Sequence, residues 1–280
     1  MAYSSEFELY RRQGEPDKAE KSELWQTAIG LQQVDGLTPS DYLIETAKQN
    51  IEGTISIVEV HNRLDSYYKA KPTHTADERT EEADKVSARI TEILAERAFT
   101  FSPAEYITIH KRLFVGIFRS TGKIRDFNIT KDEWVLNENS VVYASADSIR
   151  ATLDYDFAQE KAFVYKGLTK GQIVEHIATF VSGLWQIHAF SEGNTRTTAV
   201  FIIKYLRSFG FAVDNDLFAG HSWYFRNALV RANYNDYKNN VYATLDYLIR
   251  FFGNLLLGEK HPLQNRDLRV SSERDNDTSA

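Results

Sequence analysis

The stretch "GQIVEHIATFVSGLWQIH" constrains this chain more than any other. Ile173, Ile177, Phe180, Val181 and Leu184 recur at helical spacing and form one apolar stripe. A helix patterned in this way must bury that face, and it delivers His188 at its C-terminal end. A second apolar helix starts near Asn194 or Thr195 and turns Val200, Ile203 and Leu206 inward. Between the two lies the short turn "AFSEGN". The chain therefore has to fold as packed helices with a polar turn held between two of them.

Helical signals continue in both directions. "TPSDYLIETAKQNIEG" predicts a helix with Thr38 as N-cap, Pro39 at its first position and Gly53 as its stop. Ser56 and Glu59 fit a capping box for a second helix, which makes an N-terminal helical hairpin. "KAKPTHTADERTEEADK" has no apolar period and predicts a linker or frayed helix start. Ser102 and Pro103 open a further helix that buries Ile107, Leu113, Phe114 and Ile117. Only "KDEWVLNENSVVYAS" carries β-formers on both sides of a turn, which predicts one hairpin, Trp134–Leu136 against Val141–Tyr143. From about His261 the tail is polar and predicts disorder.

With 280 residues and a hydrophobic fraction of 42%, one large domain, or a domain with a smaller appendage, is expected. The net charge of −6 argues against unspecific nucleic-acid binding, which needs a basic face. Without cysteine there is no disulfide or thiolate chemistry. The charged N-terminus has no signal-peptide core, and the best apolar run is broken by Lys204 and Arg207. A cytoplasmic protein without a membrane partner is expected. The many aromatic side chains leave homo-oligomerisation open.

The turn itself gathers chemistry. Gly193 permits an unusual backbone angle, and a helix N-terminus beside it presents amide hydrogens and a positive dipole end, an anion site. Arg196 in the first helical turn opposes that dipole, which suggests a bound anion as its partner. Glu192 would be repelled by the anion unless a divalent cation lay between them, and Mg²⁺ with phosphate oxygens is the natural reading. His188, an imidazole at the lip of this cradle, is suited to take a proton from a hydroxyl. Each residue also has a plain structural explanation: His188 as a C-cap, Glu192 as a dipole partner, Asn194 as an N-cap. Their concurrence in a single turn favours phosphoryl or nucleotidyl transfer.

The stretch "HAFSEGNTR" resembles the signature of the Fic family. The likeness extends from about Phe101 to Gly258 and includes "GKIRDFNI", which is similar to the segment leading into the family's target-aligning flap. The resemblance implies an all-α helical bundle with a short hairpin flap at Trp134, Val135, Leu136, Val141, Val142 and Tyr143. It implies division into an N-terminal regulatory segment (1–72), a Fic domain (73–258) and a tail (259–280). It also implies transfer of AMP from ATP, with Mg²⁺, to a Ser, Thr or Tyr hydroxyl of a target protein. By the same resemblance His188 is the general base, Glu192 holds Mg²⁺, and Phe190 anchors the loop. Gly193 and Asn194 contact the phosphates, Thr195 follows them, and Arg196 grips the β- and γ-phosphates. Tyr224, Asn227, Tyr234 and Asn235 lie where the nucleobase pocket is built.

Three positions depart from the full motif: Ala189 stands for proline, Thr195 for glycine, and Ala199 for a second arginine that binds the γ-phosphate. A catalytically decayed scaffold acting as a binding module, or transfer of another phosphate-containing group, therefore stays open. "KQNIEG" resembles the family's inhibitory helix. It supplies Glu52 and Gly53, with Lys48 at the usual hydroxyl position. With the second arginine absent, an inhibitory Glu52 is expected to engage Arg196.

Overall fold

The computed structural model describes residues 7–10, 12, 15–71, 75–211, 213 and 216–270. The fold is all-α. Its helices are α1 (Pro16–Gly30), α2 (Asp41–Ile51), α3 (Ile57–Ala70), α4 (Thr75–Ala95), α5 (Pro103–Phe114), α6 (Ile149–Ala162), α7 (Lys170–Ile187), α8 (Asn194–Ser208), α9 (Asp216–Ala232) and α10 (Asp246–Leu257). They fall into two compact units that interleave along the chain. The first comprises residues 1–100, 104–122 and 195–222, and the second 101–103, 123–194 and 223–280. The N-terminal helices belong to the first unit together with α4 and most of α5 and α8.

In the first unit α1 packs along α4, and the α2–α3 hairpin closes over them. Trp25, Leu43, Ile44, Ile51, Val60 and Leu64 share one buried cluster. Trp25 Nε1 donates to Asn50 Oδ1 at 3.0 Å, so the indole keeps its hydrogen bond inside the core. Ser40, not Thr38, caps α2: its hydroxyl accepts from Leu43 N, and the helix begins at Asp41. Ser40 is fixed in turn by Asp84, which accepts from Ser40 N at 2.8 Å and from Tyr68 OH at 2.6 Å. This tertiary bond explains the shift of two residues. Ser56 caps α3 as predicted, and Gly53 takes the left-handed angle (φ 80°) after α2.

The charged run expected as a linker is helical from Thr75 on, where it opens α4. Its apolar side, through Val86, Ile90, Ile93 and Leu94, starts too late for a local pattern to reveal the earlier turns. α4 has no basic residue in its last turn, and its final carbonyls are capped from elsewhere. Lys204 Nζ donates to Ile93 O (2.9 Å) and Glu96 O (2.8 Å), and Arg207 Nη1 donates to Leu94 O (2.9 Å). The two cations that interrupt the apolar run of α8 thus complete a neighbouring helix. Among the described residues no helix is long and apolar enough to cross a membrane.

In the second unit α7 packs against α6 and α10. A full capping box, Thr169 with Gln172, starts α7, and the predicted stripe is buried through Ile177, Phe180, Val181 and Leu184. The expected hairpin is not a pair of strands. Trp134–Leu136 is a 3₁₀ turn, followed by left-handed Asn137 and Glu138, and one antiparallel bridge joins Glu133 to Asn139. Val135 and Leu136 are both buried, which alternating strand residues on one sheet face would not be.

The tail is also ordered further than expected. Leu268 is fully buried, Val270 N donates to Val135 O (3.0 Å), and Asn137 Nδ2 donates to Val270 O (3.2 Å). One apolar residue in a polar stretch sufficed to pin it. The remainder of the predicted tail, 271–280, lies outside the described residues.

Replacing buried Lys204 with Met should leave the carbonyls at the end of α4 without partners and cost about 2–3 kcal/mol. Chemical unfolding would measure it. A change within experimental error would show that those carbonyls do not depend on the ammonium.

Candidate active site

α7 ends at His188 because this residue takes a left-handed backbone angle (φ 48°), uncommon without glycine. Its N–H bonds to Trp185 O at 3.0 Å, and its imidazole Nδ1 lies 3.3 Å from the same carbonyl. A carbonyl only accepts, so Nδ1 carries the proton and Nε2 presents its lone pair. The His188 pKa is held well below the ordinary imidazole value. Burial is the main cause and the charge of Lys131 the next, with Arg125 and Arg226 adding to both against the Trp185 carbonyl. The ring is therefore neutral at neutral pH, as a proton acceptor must be. It is not at an open lip, however: His188 is only 4% exposed, with the Tyr143 ring 4.1 Å away and Trp185 edge-on at 5.1 Å. The flap segment covers it.

Beyond His188 the loop closes on itself. Asn194 Oδ1 accepts from Phe190 N at 2.9 Å, and its Nδ2 donates to Phe190 O at 2.7 Å. This side chain therefore clamps the loop onto itself. Phe190 is fully buried. Gly193 takes φ 74°, the left-handed angle for which glycine is needed before α8 can begin. Thr195 is buried in the first turn of that helix.

The residue that organises the second unit here is one whose role the sequence did not disclose. Arg125, in "GKIRDFNI", is buried and donates through its guanidinium to His188 O (2.7 Å), Phe127 O (2.6 Å), Ile187 O (3.3 Å) and Ala144 O. Its backbone N–H bonds to Ala189 O at 3.0 Å. It joins the end of α7 to the segment leaving the flap. Gln186 adds two bonds to the same segment, Nε2 to Val142 O (3.1 Å) and its own carbonyl from Ala144 N (3.4 Å).

The flap is anchored by Glu133, whose buried carboxylate pairs with Arg226 at 2.6 Å and accepts from Tyr143 OH at 3.3 Å. Burial pushes the Glu133 pKa up, against the lowering effect of Arg226. Val135, Leu136, Val141 and Tyr143 face inward, while Trp134 is partly exposed and Val142 is 81% exposed. Glu192 is half-exposed, and its carboxylate lies 3.0 Å from Lys131 Nζ.

Arg196 is held among side chains of the first unit. It is 1% exposed, pairs with Asp35 at 2.8 Å and with Glu82, donates to Gln32 Oε1 at 2.9 Å, and stacks over Phe114 at 4.8 Å. The anionic partner that its position demanded is supplied by the protein itself. Glu52 does not reach Arg196: it lies exposed at the end of α2 and accepts from Tyr10 OH at 2.7 Å, and burial, with this bond next, pushes the Tyr10 pKa up to about 12. Gly53 beside it is exposed. Neither acid holding Arg196 had a sequence signal, because both lie more than a hundred residues away.

The suggested base pocket is mixed. Tyr224 and Asn227 are buried on one face of α9, and the Tyr224 hydroxyl and Asn227 Oδ1 have no hydrogen-bond partner. Asn227 Nδ2 donates to Asn265 Oδ1 at 2.8 Å. Tyr234 is nearly buried, and Asn235 accepts from Ala243 N in an exposed turn.

The Fic/DOC family model matches residues 100–206. This chain carries a Fic domain. The match takes in the Arg125 segment, the flap and the whole His188–Arg196 motif. Protein adenylyltransferase VbhT of Bartonella schoenbuchensis is 28% identical over 132 residues, or 47% of this chain. The chain spans about a quarter of that relative's length. Among solved structures, the N-terminal Fic domain of Bep8 from Bartonella sp. 1-1C superposes with a TM-score of 0.51 at 19% identity, covering 67% of this chain and 88% of that one. BepC from Bartonella tribocorum, solved with bound AMPPNP, has a TM-score of 0.51 at 19% identity, covering 65% and 87%. These likenesses establish the Fic fold.

The neutral state of His188 has a consequence for stability. Its native pKa lies below its unfolded one, so the unfolded state binds more protons as pH falls below about 6.5. Stability from this group is complete above that pH and is lost on acidification. Comparing urea unfolding of wild type and His188→Gln between pH 7.5 and 5 should show a steeper loss in wild type. Parallel pH profiles would contradict the depressed imidazole.

Proposed function

We propose that the protein is a Fic-type adenylyltransferase, which transfers AMP from ATP to a Ser, Thr or Tyr hydroxyl of a target protein. The observation that carries the reading is His188: neutral, with Nδ1 held on the Trp185 carbonyl and Nε2 left as the proton acceptor. The Fic/DOC family match and the likeness to a named adenylyltransferase support the same reaction. In it the target hydroxyl oxygen attacks the α-phosphorus. A new O–P bond forms, the bond to the bridging oxygen of the β-phosphate breaks, and pyrophosphate leaves. His188 Nε2 takes the hydroxyl proton.

Tyr143 must move off the imidazole for a hydroxyl to approach, and the exposed Val142 edge offers the target a place to align. The buried, unpartnered Tyr224 hydroxyl and Asn227 Oδ1 are suited to hydrogen-bond a nucleobase. A divalent cation fits Glu192. Among the described residues no cluster of three or more metal-ligating side chains occurs, but Mg²⁺ on a nucleotide needs only one or two carboxylates beside phosphate oxygens. Glu192 would hold it, and the ion would neutralise charge on the leaving phosphates.

Autoinhibition by Glu52 is not part of this proposal, since its carboxylate is engaged with Tyr10. One observation favours a second reading, a Fic scaffold that binds without catalysis: Arg196 is tied to Asp35 and Glu82.

With Mg²⁺, label from α-labelled ATP should enter protein and label from γ-labelled ATP should not. His188→Ala should reduce transfer by roughly 10²-fold or more while nucleotide binding persists. Equal transfer by that variant would remove the base assignment. Nucleotide binding without any transfer would favour the scaffold. An added mass other than AMP would identify a different phosphate-containing group.

A further inference from the structure

Three cations of the second unit act on His188, and each is held differently. Arg125 donates to four backbone carbonyls from a buried position. Arg226 pairs with the buried Glu133 carboxylate. Drawing either away would strand buried polar or charged groups, which is strongly unfavourable. Lys131 is different. Its ammonium pairs with Glu192 at 3.0 Å, and the two side chains are 28% and 58% exposed. An ion pair between such solvated groups is weak and readily exchanged.

The backbone of Lys131 is nevertheless fixed. Its N–H donates to Ser140 Oγ at 3.1 Å, and two residues on lies the buried Glu133 anchor. The ammonium therefore sits on a defined stalk, against the same loop that carries His188, with a partner it can leave at little cost. A phosphate oxygen, with more charge than a single carboxylate, competes well for it.

We propose that Lys131 is a phosphate-binding residue of this site, which exchanges Glu192 for an outer phosphate of a nucleoside triphosphate. The inference rests on the nucleotidyl-transfer reading and deepens it. In the resting protein the Glu192 carboxylate occupies the place of that phosphate. On binding, both charges find new partners together: the lysine takes the phosphate, and Glu192 becomes available to a cation. A monophosphate has no outer phosphate to offer, so Lys131 favours ATP over AMP.

Calorimetry on the full chain with ATP and with AMP, in EDTA and then in Mg²⁺, tests this. In EDTA, Lys131→Gln should weaken ATP binding by about tenfold or more and leave AMP binding unchanged, with Lys131→Arg retaining most of the ATP affinity. Glu192→Gln should tighten ATP binding in EDTA, because it frees the lysine. A lysine that merely positions Glu192 would instead affect ATP only when Mg²⁺ is present. ATP binding in EDTA that is indifferent to Lys131→Gln, an equal loss of AMP and ATP, or no tightening by Glu192→Gln would each overturn the assignment. Wild-type protein that binds no nucleotide under either condition would overturn the nucleotidyl-transfer reading along with it.

Discussion

The guanidinium of Arg125 holds three stretches of backbone at once. It takes the last carbonyls of α7, the carbonyl of Phe127 just beyond it and the carbonyl of Ala144 leaving the flap. A helix end leaves its final carbonyls without intrahelical partners, and α7 ends abruptly at a left-handed His188. Arginine answers that need with five donors in a rigid fork, which lysine cannot reproduce. Burial, and after it the charge of Lys131, keeps the His188 imidazole neutral, and the positive charge that Arg125 brings beside it adds to both. One side chain thus links the fold of the motif loop to the protonation state of its base.

Charge along α8 is handled within the first unit. Arg196 is enclosed by Asp35, Glu82 and Gln32, while Lys204 and Arg207 close the C-terminal end of α4. None of the three is left for an external ligand in this state. In the second unit Lys131 and Glu192 neutralise each other at a solvated position, and it is there that the proposed function places the nucleotide. In this structure Tyr143 covers the His188 imidazole, and Lys131 is paired with Glu192.

Much of this was legible in the sequence because it is local. The stripe from Ile173 to Leu184 set the burial of α7, and the glycine at 193 marked a left-handed turn. What escaped depended on distant partners. Arg196 sits at a helix N-terminus, where an anion is the expected neighbour, and nothing nearby shows that Glu82 would supply it. Ser40 displaced Thr38 as a cap only because Asp84 fixes it from α4. The flap failed to become a hairpin because Val135 and Leu136 are buried side by side, with Val270 taking the Val135 carbonyl. Arg125 looked like one more charged residue until its four carbonyl partners were assembled around it.

The central claim is that the loop from His188 to Asn194 is a nucleotide-phosphate site served by a neutral imidazole. A crystal structure with a non-hydrolysable ATP analogue and Mg²⁺ tests it most directly. The account predicts phosphate oxygens against this loop, Tyr143 displaced from the imidazole, and His188 Nε2 facing the α-phosphorus across the space for an incoming hydroxyl. A nucleotide bound away from the loop, or an imidazole still covered by Tyr143 with the nucleotide in place, would contradict it.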